Sequence, residues 1–492
     1  MRVKQIQSMV GLSLCTVFLG SSVKMADDDR DFGLKTERLL KAHSEQLFGI
    51  AQPLEESALG PYTGLDSSLA VTVAKGLNVA VVSTATHSLN DQMALWPDDN
   101  SPTHIIIAVE DGTSGPCVQV VDLNGNPNSN VKTILQGLTA GDPIRRTPWG
   151  TILVGEEASD GGLYEILNPL QISTPVLVTN RATGATSDPS RVVKRKTVGS
   201  LAFEGIGILA NGTMYYGDEL RPGGAPGGAI FKFIPFQPSF PGSGPISDLA
   251  NSPLTGGTIY GLRVGTRNGN TDFGQGSEVG KGSWRLVQTL PDANGNINLR
   301  TAQAALGLTG YYRPEDMDVD PIAAAKGIVR VCWANTGNMS NGGNSVVENS
   351  ATYGEILSLV DEPASNAPSG AVPLVTRFFA GDPDANFFDN VAFQPKTGRL
   401  AVCEDGEVEV ITPNGQKELR GNDIWLLLPD GADRDVQSDG AIKIVSLKDT
   451  DSEPTGIIFD GSGENAYVHL QHRSTGVGAL LKISGFKVKE SD

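Results

Sequence analysis

Histidine and cysteine are scarce in this 492-residue sequence, with five of one and four of the other. No two cysteines have CxxC spacing, which excludes a zinc ribbon or a thioredoxin-like site as a local motif. HExxH, GxSxG, the P-loop and a GxGxxG opening a helix are all missing. Zinc-protease, serine-hydrolase, nucleotide and dinucleotide readings therefore have no motif behind them. Positive charge is short too. Lysine and arginine total 38 against 56 acids, a formal net charge of −18, which argues against nucleic acid as a partner because phosphate backbones need concentrated Lys and Arg. Long apolar runs are lacking, which excludes stable membrane insertion. The run Met9 to Gly20, behind Arg2 and Lys4, is too short to span a bilayer and reads as an export signal, residues 1–26. Cys15 in that run follows bulky residues, a poor lipidation site.

What the chain does have is glycine (59), proline (29) and many short β-branched runs. Hydrophobic content of 39% is enough for a packed core, and 19% charged residues is too few for a disordered chain or a coiled coil. Residues 33–50 predict one amphipathic helix, with Leu34, Leu39, Leu40 and Leu47 on a shared side, inside an N-terminal segment 27–76. From residue 77 to 488 the runs read as strands: HIIIAV (104–109), CVQVVDL (117–123), AIFKFI (229–234), GIVRVCWA (327–334), EILSLV (355–360) and IWLLL (424–428). The Gly/Pro-rich stretches 221–228, 236–257 and 265–283 read as long loops. Cys117, Cys332 and Cys403 lie in apolar alternating segments and are expected to pack as small buried hydrophobes.

A repeated unit organises the strands. Copies are DPIRRTPWGTILVGEE (142–157), EGIGILANGTMYYGDE (204–219), EDMDVDPIAAAKGIVRVCWAN (315–335), DNVAFQPKTGRLAVCED (389–405) and EPTGIIFDGSGENAYVHLQH (453–472). Each starts with an acid, runs as a strand, turns at Gly or Pro and returns. Most end on further acids or amides: Glu156-Glu157, Asp218-Glu219, Asn335, Glu404-Asp405 and Gln471-His472. In a hairpin the first and last residues lie at the same end. Radial arrangement of such hairpins would bring their acidic ends to one face of a central channel, although the spacing exceeds the roughly 40–50 residues usual for a propeller repeat. As separate hairpins the same ends would simply be solvated.

Carboxylates gathered this closely repel one another and persist only with cations or protons among them. Asp, Glu and Asn oxygens are hard ligands that suit calcium. Arg313 lies two residues before Glu315 in YYRPEDMD, so on an extended segment both face one pocket. Its planar fork fits phosphate oxygens, though a structural ion pair with a neighbouring acid is the plainer alternative. Arg145, Arg146 and His472 are further candidates for contacting substrate. DLNGN (122–126) and DANGN (292–296) read as plain turns rather than calcium loops, since their Gly falls at the wrong place for an EF-hand.

The segments TPWGTILVGEE (147–157), FEG with MYYGDE (203–205 and 214–219), GGAIFKF (227–233), RPEDMD (313–318), FFAGDP (378–383), and the units 388–405 and 453–472 resemble, in order, the PhoX-type alkaline phosphatases. The resemblance covers about residues 143–484. It implies an all-β fold, a single six-bladed β-propeller with long loop insertions and a short N-terminal helix. It also implies calcium and iron at the central face and cleavage of small phosphate monoesters by a periplasmic or secreted monomer. On matching positions it makes Glu157, Glu204, Glu315 and Glu453 metal ligands, with Asp218 and Asp389 weaker ones, and gives Arg313 the grip on phosphate. The hairpin pattern adds Glu156, Glu219, Glu404 and Asp405 as ligands, and Arg146 and His472 on the substrate side.

Three positions depart from the family. Gly155 stands where a cysteine thiolate would bind iron and cannot ligate through a side chain, so a calcium-dominated or altered cluster is expected in place of the family's iron site. Phe203 replaces a histidine before Glu204, and Arg2 and Lys4 do not form a twin-arginine signal. Two rival readings remain: another hydrolase on a calcium propeller, lactonase or phytase-like, or a binding propeller with structural metals.

Overall fold

The computed structural model describes residues 34–221, 227–236, 244–265, 279–337, 353–362, 372–406, 408–411, 416–431 and 435–488. The expected export signal lies outside them. The described chain is mostly β, as its β-branched runs and frequent turns require. Among the described residues antiparallel pairing dominates, in sheets of five, six, four, nine, four and two strands, and repeated antiparallel units can be followed along them. Their innermost strands are Asn90–Trp96, Gly141–Arg146, Phe203–Ile208, Pro314–Val319, Phe388–Phe393 and Glu453–Phe459. Each touches the next, and the last touches the first, so these strands form a closed, propeller-like circuit.

The circuit is closed by pairing between distant parts of the chain. Asn78–Ser83 forms the outer strand of the last unit, antiparallel to Ala479–Ser484 with Val79 opposite Ile483. Val71–Val73 extends the fifth unit through Ala441–Leu447. The third and fourth units merge into one nine-stranded sheet because Gly280–Leu286 bridges Gly257–Val264 and Leu374–Ala380. That strand corrects the expectation of a loop across 265–283, of which 266–278 lie outside the described residues. Its ladder partners on both sides outweigh its glycine-rich composition.

Each unit packs on its neighbour through its own apolar layer. Ile106, Ile144 and Ile152 lie between the first and second units, and Leu153, Phe203 and Phe231 between the second and third. Tyr215, Met317 and Trp333 pack between the third and fourth, Phe388, Val391 and Ile356 between the fourth and fifth. A full hydrophobic side chain so buried contributes about 1.5–3 kcal/mol. Cys117, Cys332 and Cys403 are free and buried in these layers. The N-terminal helix breaks at His43 into Leu34–Ala42 and Ser44–Leu47. Leu40 is buried and packs against the fifth and sixth units, with Phe48 and Ile50 completing the contact after the helix ends.

Two features of the inner strands shape the channel they enclose. Every one carries a β-bulge near the same end. In the first, Asp91 and Gln92 oppose only Ala108; in the second, Asp142 and Pro143 oppose only Gly155. Bulges re-aim side chains, and here they turn an acid toward the axis. At mid-channel, Arg145 reaches across it. Its guanidinium donates to Ile206 O at 2.9 Å, Met317 O at 2.8 Å, Asp316 Oδ1 at 2.6 Å and Gln92 Oε1 at 3.3 Å. One arginine thereby ties four units together and closes the channel beneath the bulges.

Candidate metal centre

Above Arg145 the channel opens into a cavity of about 550 Å³. Five inner strands place an acid there at the same step, the second residue: Asp91, Asp142, Glu204, Glu315 and Asp389. The sixth strand contributes its first residue, Glu453, because its bulge lies two residues further on, at Gly456. The ends of the second strands add Glu110, Glu157 and Asp405.

Oxygens of these nine acids form four linked triads, each within 4.8 Å: Asp91 with Glu110 and Asp142, Asp142 with Glu157 and Glu204, Glu204 with Glu315 and Asp389, and Asp389 with Asp405 and Glu453. Asp142, Glu204 and Asp389 each belong to two. Without cations such an array is unfavourable in its ionised form. Burial, reinforced by Glu157, raises Glu110 to about 8. Burial, reinforced by Glu219 and Glu315, raises Glu157 to about 9. Burial and neighbouring carboxylates push Asp91, Asp142, Glu204, Glu315, Asp389 and Glu453 well above the ordinary carboxylate range.

The donor set fits hard cations. Asp142 Oδ1 and Glu204 Oε2 are fully buried with no hydrogen-bond partner, and calcium takes 6–8 oxygens, some from water or substrate. A thiolate-bound iron does not fit. A Cβ at Gly155 would lie 2.6 Å from Phe203 Cβ and 2.6 Å from Pro143 Cγ, and the Phe203 ring packs on Tyr216 at 5.7 Å. Aromatic packing fills the space a thiol would need. Among the described residues no cysteine joins a carboxylate triad.

Arg313 is the sole Lys or Arg among the residues described as lining the cavity. Its Nε lies 2.7 Å from Glu219 Oε1 and 2.9 Å from Glu315 Oε1, and Nη2 lies 3.7 Å from Asp405. Burial works against its charge, but Glu315, Glu219, Asp405 and Asp389 hold its pKa above the ordinary arginine value. Its backbone is left-handed, with φ +46°; so are Phe387 (φ +52°) and His472 (φ +54°), which also line the cavity. Such backbone is uncommon outside glycine and clusters at functional sites. His472 Nε2 stands 3.2 Å from Glu453 at the half-open mouth.

Other candidates are not brought to the cavity. Glu156 pairs with Arg181 and accepts from the amides of Thr139 and Gly162. Asp218 takes a two-pronged grip from Arg300, and Glu404 one from Arg420, with Trp425 and Asp423 N also donating to it. The reason is strand alternation. Glu156, Asp218 and Glu404 are still paired in the ladder, opposite Gly141, Phe203 and Phe388. The next residue of each doublet therefore faces the other way. Glu219 lies at the cavity edge, holding Arg313. Arg145 and Arg146 are not among the residues described as lining the cavity. Arg146 is four residues down its strand from Asp142, roughly 13 Å at 3.3 Å per residue, and pairs with Asp99 at 2.7 Å.

Sequence reasoning left out Asp91, Glu110 and Asp142. Asp142 already opens the first repeated unit, DPIRR, while Asp91 at the start of DQMALW and Glu110 at the end of HIIIAVE follow the same hairpin rule one unit earlier. The plain-turn reading of DLNGN and DANGN agrees with the structure, where Asp122 and Asp292 accept from backbone amides two residues on.

A closed β-circuit with a carboxylate nest beside Arg313 defines a propeller-like protein with a candidate metal centre. The family model described as alkaline phosphatase PhoX matches residues 144–474, and the chain belongs to that family. No curated protein sequence matches it. Among solved structures it is similar to Pseudomonas fluorescens PhoX in complex with vanadate, a transition state analogue. The identity is 16%, with 87% of this chain and 98% of that one covered and a TM-score of 0.60. Lower scores join it to the PQQ domain of a Coprinopsis cinerea pyranose dehydrogenase (12% identity, 87% and 100% covered, TM-score 0.35). The soluble aldose sugar dehydrogenase of Escherichia coli is comparably distant (13% identity, 83% and 99% covered, TM-score 0.34).

Because Glu204 serves two triads, Glu204→Gln is expected to weaken calcium binding at least about tenfold, as for other altered ligand shells. Isothermal titration with calcium reads this. Unchanged affinity and stoichiometry would remove Glu204 from the ligand set.

Proposed function

We propose that the chain is a calcium-dependent phosphomonoesterase, built on six blades and acting outside the cytoplasm. The observation that carries the reading is Arg313, set among Glu219, Glu315 and Asp405 beside the four linked triads. A phosphoryl group is the ligand whose charge suits both partners. It offers oxygens to a guanidinium fork and to hard cations at once. The six-bladed reading is supported by the circuit of six inner strands. The location is supported by the export-like start at residues 1–26 and by the abundance of calcium outside cells, which suits modest-affinity sites.

Calcium, when bound, would neutralise charge on the phosphoryl oxygens and make water a better nucleophile. The protein's own part is geometric and electrostatic. Asp91, Asp142, Glu204, Glu315, Asp389 and Glu453 present ligand oxygens from rigid strands, and Glu110, Glu157 and Asp405 complete the set. Glu219 and Glu315 fix Arg313 through its Nε, so the guanidinium is aimed before the ester arrives. Preorganised charge of this kind needs no rearrangement in the transition state. His472 stands at the mouth, beside Glu453, where the departing alcohol would leave.

The test is release of inorganic phosphate from p-nitrophenyl phosphate by purified protein with calcium. Turnover within the ordinary enzyme range of about 1–1,000 per second is expected. Hydrolysis of lactones but not of phosphate esters would select the other hydrolase. Tight calcium binding without hydrolysis of any ester would select the binding propeller.

A further inference from the structure

The cavity is lined almost wholly by charged and polar groups, yet one wall is a phenyl ring. Among the described lining residues Phe387 alone carries an apolar side chain. Its position is built rather than incidental. The backbone is left-handed at φ +52°, a conformation that a bulky residue adopts only under strain. Two backbone bonds hold it there: its amide donates to Tyr353 O at 2.8 Å, and its carbonyl accepts from Asp405 N at 2.7 Å.

Gly406, the residue after Asp405, makes room for the ring. A Cβ on Gly406 would lie 2.2 Å from Phe387 Cδ2 and 2.8 Å from Cγ, so the ring lies flush against a glycine. Gly406 is itself held by its amide donating to Asn422 Oδ1 at 3.0 Å. Asp405, joined to Phe387 through the backbone, faces the Arg313 guanidinium at 3.7 Å. Ring and guanidinium line the same cavity. An ester whose phosphoryl group sits on Arg313 would share that cavity with the ring.

We propose that Phe387 is a specificity residue: its ring packs against the organic group of the ester and favours flat aromatic groups over small aliphatic ones. This rests on the phosphomonoesterase reading. A strained apolar ring has no role in holding cations, and it stays partly exposed, so core packing does not explain its placement.

The test compares 2-phenylethyl phosphate with propyl phosphate, whose leaving alcohols are similar in acidity, and reads the ratio of their kcat/KM values. In the native protein the ratio is expected to favour the phenylethyl ester. Phe387→Ala is expected to lower that ratio about tenfold, the scale of one lost apolar contact, while Phe387→Tyr keeps it. Gly406→Ala, which retains the ring but displaces it, should lower the ratio in the same direction. Should Phe387→Ala fail to fold, Phe387→Leu and Gly406→Ala supply the reading. Ratios within twofold of native in the folded variants overturn the proposal while leaving the phosphatase reading intact. Failure of the native protein to cleave either ester sinks both.

Discussion

Arg313→Ala is expected to lower kcat/KM for phosphate monoesters by about 100- to 1,000-fold, the range seen when a preorganised transition-state donor is removed. The argument is electrostatic. Arg313 is the one Lys or Arg among the described lining residues, in a pocket of acids that would otherwise repel a phosphate. Its loss removes the attraction and leaves Glu219 and Glu315 without the charge that neutralises them. Arg313→Lys should recover only part of the rate, because an ammonium cannot offer the planar fork. Steady-state kinetics give the rate, and calorimetric titration with vanadate gives anion binding independently of turnover. Thermal melting in calcium verifies that the variant is folded. A folded Arg313→Ala protein retaining a tenth of native kcat/KM, with native vanadate affinity, would remove Arg313 from the site.

Stripping calcium with a chelator is expected to abolish hydrolysis and to lower Tm, and the fall in Tm should deepen as pH rises. The sign comes from linkage. In the cation-free fold Glu110 keeps its proton to about pH 8 and Glu157 to about 9, whereas in the unfolded chain both lose it near 4.3. A raised folded pKa gives stability that is fully present below the unfolded value. That stability drains away as pH climbs through the folded one. The stripped protein should therefore melt highest near pH 5 and progressively lower toward pH 9.

With calcium saturating, cations replace the protons and the trend should disappear, because deprotonation now favours binding. Binding at a hundredfold excess over Kd is worth about 2.7 kcal/mol per ion. Several ions should thus raise Tm on the order of 10 °C at pH 8–9. Differential scanning calorimetry across pH, with and without chelator, reads this. A stripped protein with a flat Tm from pH 5 to 9 would show that the carboxylates are not a cation site.

How much of the site was legible in the sequence varies residue by residue. The gathering of Glu157, Glu204, Glu315, Asp389, Asp405 and Glu453 came from hairpin geometry, since both ends of a hairpin lie on one edge. The adjoining Glu156, Asp218 and Glu404 were equally good candidates by residue type and position. They differ by a single step of alternation, and their partners Arg181, Arg300 and Arg420 are 16 to 82 residues away in sequence. No local pattern reveals such pairings. Arg300 sits on a helix, Leu299–Leu306, capped by the Asn298 side chain and ended by left-handed Gly307, outside the repeated units.

Arg146 lies away from the cavity lining although it is near Asp142 in sequence, because a strand carries successive residues steadily down the channel. The bulges were also invisible, because a bulge is a difference in register between two strands and belongs to neither alone.

From the sequence by itself came the β class, the repeated acid-strand-turn-strand unit, the preference for hard oxygen ligands and the family. The family came from the resemblance of an ordered set of motifs; the others depend on local periodicity, turn chemistry and composition, which each segment carries alone. Tertiary structure decided which acid of each doublet turns inward, that Arg145 closes the channel, and that Phe203 fills the space beside Gly155. It also set Phe387 against Gly406 at the cavity wall. Each of those outcomes depends on contacts between units far apart in the chain, where register and packing, not residue type, choose the direction a side chain takes.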